Sequence, residues 1–167
     1  GVRHCSISTD NGTLPAQIFL DINLYFLSNP TGIVLDKKDE SKIEYHDNGV
    51  KKSEEHYKDG IRNGSFIRWY DNGNKESECS YKDGVLHGTS NNWYANGNKE
   101  SESHYNYGDP LGVWREWHDD GSRKYEERYK NGKLNGVATG WYDSNRNGKK
   151  NYEDIYQDHK LIKTTYY

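Results

Sequence analysis

The chain has 167 residues, a net charge of −3 at pH 7, 31% hydrophobic residues and 14% aromatic residues, with a mean hydropathy of −1.23. Such hydrophilicity predicts a thin core, yet 15 Tyr and 5 Trp argue against disorder, whose composition is poor in aromatics. The acidic balance lacks the basic footprint of nucleic-acid binding, no apolar run approaches the ~18 residues of a spanning helix, and two cysteines, Cys5 and Cys79, say nothing of redox compartment.

A first residue of Gly1 with no Met anywhere predicts a trimmed or mature chain. Residues 1–40 differ in composition from the rest. There "QIFLDINLYFL" places Ile18, Leu20, Ile22, Leu24 and Phe26 at alternate positions, a period-two strand signal. Asn29-Pro30-Thr31-Gly32 reads as a turn and Ile33-Val34-Leu35 as a short strand. A β cap over the first unit of an array is favoured over a separate functional module, because terminal repeats need capping.

From residue 41 to 167 the chain repeats itself every 24 residues. Gly64, Gly88, Gly112 and Gly136 keep that step, as do Trp69, Trp93, Trp117 and Trp141, and Tyr57, Tyr81, Tyr105 and Tyr129. Turn glycines recur at Gly49, Gly73, Gly97 and Gly121. Three extra residues enter between Tyr142 and Gly148, and about five units are followed by a partial sixth, "KLIKTTYY". Each unit reads as a β-hairpin: one strand over Ser65–Tyr70, a turn at Asp71-Asn72-Gly73, a second strand over Lys75–Tyr81, then a connector from Lys82-Asp83-Gly84 to Gly88.

A three-residue Asp-Asn-Gly loop sets Trp69 opposite Lys75, whereas a two-residue loop would set it opposite Glu76. We favour the first, because it gathers the recurring rings with Lys51, Lys75, Lys99, Arg123 and Lys150. That choice is expected to place Trp69 on the face of Tyr81, with Glu54, Glu78, Glu102, Glu126 and Glu153 on the other face beside Tyr70, Tyr94 and His118. The expected fold is therefore an all-β, elongated array of antiparallel hairpins.

The pattern G-x4-W-Y-x-N-G-x-K-x2-E-x2-Y-x2-G over about 41–160 resembles the bacterial variant of the MORN repeat, and in particular the YwqK-like family of antitoxins. The resemblance implies a β-hairpin array and, for the YwqK-like members, a partner toxin that the protein neutralises; an antitoxin is expected in the cytoplasm, while the trimmed N-terminus also admits a periplasmic or secreted protein. The resemblance also admits structural or surface-anchoring scaffolds, since MORN arrays serve as both.

Carboxylates at equal spacing point to cross-strand pairing rather than acid–base catalysis. The seven histidines show no zinc spacing, and no nucleophilic triad, phosphate loop or cofactor motif is recognisable, so an enzyme is not expected. "DSNRNGKKNYED", Asp143 to Asp154, follows the calcium-loop pattern but lacks its usual carboxylates, so a lengthened hairpin turn is expected there. A residue that returns in every unit serves the hairpin, while one that appears once is the better candidate for recognition. By that reasoning a protein partner would be bound by Tyr107, Asp109, Trp114, Arg115, His118 and Arg128. Packing of Trp114 over the neighbouring hairpin is the competing reading. A carbohydrate module that stacks sugars on the Trp ladder remains an alternative function, and it requires exposed rings.

Overall fold

The computed structural model describes residues 38–142 and 148–167. Twelve strands make one antiparallel sheet: β1 (Asp39–Tyr45), β2 (Lys51–Lys58), β3 (Ile61–Trp69), β4 (Lys75–Lys82), β5 (Val85–Trp93), β6 (Lys99–Asn106), β7 (Asp109–Trp117), β8 (Arg123–Lys130), β9 (Lys133–Leu134), β10 (Gly136–Trp141), β11 (Lys150–Gln157) and β12 (Lys160–Tyr166). Neighbours in sequence are neighbours in space, apart from the two-residue β9, which pairs with β8 off the main path. The strands expected within residues 18–35 lie outside the described residues, and Asp39 and Glu40, assigned to the cap from sequence, belong to β1.

Two kinds of turn alternate along the chain, and the repeated letters explain both. After Trp69, the Tyr70 amide donates to the Asn74 carbonyl (2.9 Å) and the Gly73 amide donates back to Tyr70 (3.0 Å). This encloses the three-residue Asp-Asn-Gly loop expected from sequence, with Gly73 at φ 85°. The other link is tighter than the connector expected from sequence. Asp83 (φ 51°) and Gly84 (φ 80°) alone join β4 to β5, a type I′ turn with both central residues left-handed. The same turn recurs at Asp59-Gly60, Tyr107-Gly108, Asn131-Gly132 and Asp158-His159.

Each strand pair also carries a bulge. Glu76 has no partner between the pairs Arg68↔Ser77 and Trp69↔Lys75. Beside the tight turn, three residues around Gly64 stand opposite the single residue His56, between Glu55↔Phe66 and Tyr57↔Arg62. Gly64 takes φ 109° there, which explains why a glycine returns at this phase.

Bulges re-aim side chains, and they correct the expected faces. Trp69 lies opposite Lys75, as predicted. However, the extra residue turns Lys75 toward Glu78, with Lys75 Nζ 2.8 Å from Glu78 Oε2. The Trp, Lys and Glu ladders therefore share one face. Tyr81 pairs with Gly64, two steps from the Phe66↔Cys79 pair, and so occupies the opposite face. We call these the Trp face and the Tyr face.

On the Trp face each cation reaches forward to the ring of the following unit: Lys51 lies 5.2 Å above Trp69, Lys75 5.7 Å above Trp93, Lys99 5.8 Å above Trp117 and Arg123 5.7 Å above Trp141. Such contacts contribute roughly 0.5–1 kcal/mol each at exposed sites. The Tyr face holds the thin core. Cys79, Tyr81, Ser53, Ser77, Ser90 and Ser101 are buried there, under side chains of the same face.

The three-residue loops are tied to one another along one margin of the sheet. Tyr70 Oη donates to the Trp93 carbonyl and Tyr94 Oη to the Trp117 carbonyl, both at 2.8 Å, while His46 Nε2 lies 2.8 Å from the Trp69 carbonyl. Asn48, Asn72 and Asn96 donate to the next loop's carbonyls of Asp71, Ala95 and Asp119, at 2.7, 2.8 and 2.7 Å. The W-Y-x-N-G-N-K motif is therefore a device for joining units.

Two substitutions separate these contributions. Tyr94→Phe leaves the Trp117 carbonyl without this donor and should cost about 1 kcal/mol. Trp93→Ala removes a half-buried ring and its cation, at a cost of roughly 2–3 kcal/mol. Urea unfolding with an unchanged slope reads both.

Candidate functional site

The six residues singled out from the sequence do not gather into one patch. Trp114 sits on the Tyr face, its ring 5.3 Å from Tyr105 and 4.6 Å from Tyr129, with Nε1 3.4 Å from the His104 carbonyl. It packs over the neighbouring hairpins, which is the competing reading stated above. Arg115 points to the Trp face and bridges two carboxylates, with Nη1 3.6 Å from Glu102 and Nε 3.2 Å from Glu126. Arg128 joins the same cluster, 3.2 Å from Glu126. Lys99, His104 and Arg115 hold the Glu102 carboxyl below its usual range, Lys99 most strongly through its hydrogen bond. His118 stands at the loop margin, where its buried Nε2 has no hydrogen-bond partner among the described residues.

Tyr107 is the first residue of a tight turn at the opposite margin, and Asp109 follows that turn. Five tight turns provide an internal control on Tyr107, since its position is held elsewhere by Asp59, Asp83, Asn131 and Asp158. Short Asp and Asn side chains tolerate left-handed φ, whereas an aromatic ring at φ 48° is strained. The ring stays 51% exposed. It leans on His87 at 4.7 Å, with Lys82 Nζ 5.3 Å above it, and the Tyr107 amide donates to His87 Nδ1 at 3.3 Å.

Ile61, Val85 and Leu111, all exposed, occupy the same margin. Ile61 Cγ2 lies 3.2 Å from where a Cβ on Gly84 would be, and Val85 Cγ1 3.3 Å from the equivalent point on Gly108, so these side chains rest on the next unit's turn. His87, Ile61, Val85 and Leu111 were not singled out from sequence. Their shared phase was available as a signal, because Ile61, Val85 and Asp109 fall 24 residues apart, as do His87 and Leu111.

A second irregular cluster fills the Tyr face of β8, β10 and β11. Tyr125 and Glu127 stand where Ser77 and Cys79 stand two units earlier. Gly140 makes room: a Cβ there would lie 2.4 Å from the Tyr152 ring. Tyr129 Oη donates to Glu127 Oε1 at 2.7 Å. Burial and Glu127 push the phenols of Tyr125 and Tyr129 up, and burial with Asp154 does the same for Tyr152. The larger volumes and the smaller ones compensate within the cluster, which accounts for it structurally.

Elsewhere, two open clefts of about 440 and 590 Å³ lie beside Tyr142, Lys149, Lys150 and Tyr167 and beside Asp39, His56 and Tyr57. Among the described residues no three His, Cys, Asp or Glu side chains are arranged to hold a metal ion. The calcium-like stretch falls partly outside those residues. No described helix is long and apolar enough to cross a membrane.

With twelve meandering strands, a 24-residue step and interlocked turns, the molecule is a hairpin repeat protein. The MORN repeat variant family matches residues 42–59, 62–83, 86–107 and 110–131, half of the chain, and the chain belongs to that family. No curated protein matches it. A solved structure, that of accessory secretory protein 1, 2 and 3 in Streptococcus pneumoniae, is similar with a TM-score of 0.34 and 15% identity over 73% of this chain and 22% of that one. This chain thus spans about a fifth of the length of that one.

The raised phenols make stability pH-dependent at the alkaline end. A folded pKa above the unfolded value of about 10 contributes stability that is complete below pH ~10 and is lost as pH rises beyond it. Phenolate absorbance from Tyr125, Tyr129 and Tyr152 should appear only together with loss of the sheet signal above that pH. Tyr125→Phe should weaken the coupling.

Proposed function

We propose that this chain is a non-enzymatic protein-binding repeat protein of the immunity or antitoxin kind, acting by covering a partner toxin's working surface. The observation that carries this reading is Tyr107. Its backbone strain, of order 1 kcal/mol or more, is borne by a ring left half in solvent, and strain of that kind collects where a site is preformed for a ligand. On the same margin lie the exposed apolar side chains Ile61, Val85 and Leu111, of which Val85 rests on Gly108, and the exposed cation Lys82 lies over the ring. Tyr is among the residue types that dominate interface energetics. The turn is held on both sides by neighbouring units, so docking costs little conformational entropy. Arg115 and Trp114, both engaged within the sheet, serve the fold in this reading rather than the partner.

The scaffold alternative shares the same architecture and differs in having no toxin to neutralise. The carbohydrate alternative is weakened by the cation over each of Trp69, Trp93, Trp117 and Trp141, which occupies a stacking face of the ring.

Co-expression with the product of the reading frame beside its own gene tests the proposal. The expected outcome is rescue of growth and a stable complex. Tyr107→Asn should weaken the complex about thirtyfold or more while raising the melting temperature, because Asn suits the left-handed position. A rise in melting temperature with undiminished binding would remove Tyr107 from the interface. No rescue and no complex would overturn the antitoxin reading.

A further inference from the structure

Asparagine followed by glycine is prone to lose its side-chain amide, because the glycine nitrogen reaches the asparagine Cγ with little steric hindrance. Six such pairs fall within the described residues, at Asn48, Asn63, Asn72, Asn96, Asn131 and Asn135. Local bonding separates them sharply.

In the three-residue loops both reacting groups are held. The nucleophiles, the amides of Gly49, Gly73 and Gly97, donate to the carbonyls of His46, Tyr70 and Tyr94 at 2.9, 3.0 and 2.8 Å. The side chains of Asn48, Asn72 and Asn96 each donate to the next loop's carbonyl, and their Oδ1 atoms accept from the amides of Val50, Asn74 and Asn98 at 3.0, 3.0 and 2.9 Å. Asn63 and Asn135 each donate once, at 3.4 Å, to Asp83 and Asp158, and their glycines are in register with Tyr81 and Tyr156 in the sheet.

Asn131–Gly132 is different on both counts. The exposed Asn131 side chain makes no hydrogen bond among the described residues. Neither does the Gly132 amide, although the equivalent amides of Gly84, Gly108 and His159 donate to Arg62, Leu86 and Leu134 at 2.8, 2.8 and 2.9 Å. The carbonyl at the corresponding place is that of Pro110, in the one unit that reads Asp-Pro after its turn.

We infer that Asn131 is the deamidation site among the described residues. The Gly132 nitrogen attacks Asn131 Cγ and loses its proton, and the side-chain nitrogen leaves as ammonia, closing a succinimide. Water then cleaves the ring. Opening at Cγ gives aspartate, the residue that Asp59, Asp83 and Asp158 already supply in sister turns, so this product leaves the fold intact. Opening at the Asn131 backbone carbonyl gives isoaspartate, which adds a methylene to a turn of only two residues. That product loosens the link made by Tyr129↔Leu134 and Lys130↔Lys133. Either product places a new carboxylate beside Asp109, whose Cγ lies 3.4 Å from where a Gly132 Cβ would be.

Peptide mapping of the folded full chain after incubation at mildly alkaline pH tests the assignment. Conversion at Asn131 should run at least roughly tenfold ahead of Asn48, Asn72 and Asn96, the factor given by one hydrogen bond of about 1.4 kcal/mol. In urea the six sites should converge, because folding creates the difference. Asn131→Asp, the residue of three sister turns, should abolish the early loss of ammonia without shifting the melting temperature by more than a degree or two. Equal rates in the folded protein, or a rank order kept in urea, would overturn the inference.

Discussion

A sheet with no second layer across it must find its burial within its own two surfaces. Among the described residues nothing covers either face of this one, and that constraint accounts for its chemistry. Ordinary apolar side chains would be left in water, so the units use rings and long amphipathic side chains that lie over their neighbours. Lysine ammonium groups lie over Trp rings on one face, and Tyr81, Cys79 and a row of serines are buried on the other. A chain of mean hydropathy −1.23 can thereby be ordered, because its buried area comes from residues that also tolerate solvent. The low apolar content is what a single-layer sheet requires.

The same constraint makes neighbouring units interdependent. Tyr94 finds its acceptor only if Trp117 presents its carbonyl, and Lys75 finds a ring only if Trp93 lies one unit ahead. Such stability is a sum over interfaces between adjacent units. It fades wherever one unit departs from the pattern. At the fourth loop Asp120 stands where Asn48, Asn72 and Asn96 donate, and a carboxylate has no proton to offer. Among the described residues His118 Nε2 has no hydrogen-bond partner at the same place, just before the three-residue insertion.

Much of this was legible in the sequence. The period, the hairpins, the three-residue loop and the pairing of Trp69 with Lys75 all follow from local turn chemistry and from the need to bring rings and cations together. The bulges were not legible in the same way. Glu76 looks like any strand residue, and nothing in its side chain says that it will go unpaired. Counting alternate positions through it carries Tyr81 to the wrong face and separates Glu78 from Lys75. Gly64 does carry a signal, since a glycine recurring outside the obvious turn calls for a left-handed backbone, but its place beside the connector hides the bulge.

Irregularity proved a mixed guide to the site. Trp114, Tyr125 and Glu127 break the pattern, yet the packing absorbs each: Trp114 lies between the repeated Tyr105 and Tyr129, Glu127 accepts from Tyr129, and the Tyr152 ring fills the space that Gly140 leaves. Arg115 breaks it and is answered by Glu102 and Glu126, which its side chain bridges. Tyr107 breaks it with only partial compensation from His87 and Lys82, because the ring remains half exposed while its backbone keeps the strain. The useful distinction is therefore between departures that neighbouring side chains absorb and those that the fold leaves unabsorbed. Sequence alone shows that both kinds differ from the repeat. Only the packing shows that Trp114 and Arg115 belong to the first and Tyr107 to the second, since absorption is a property of neighbours on the adjacent strands.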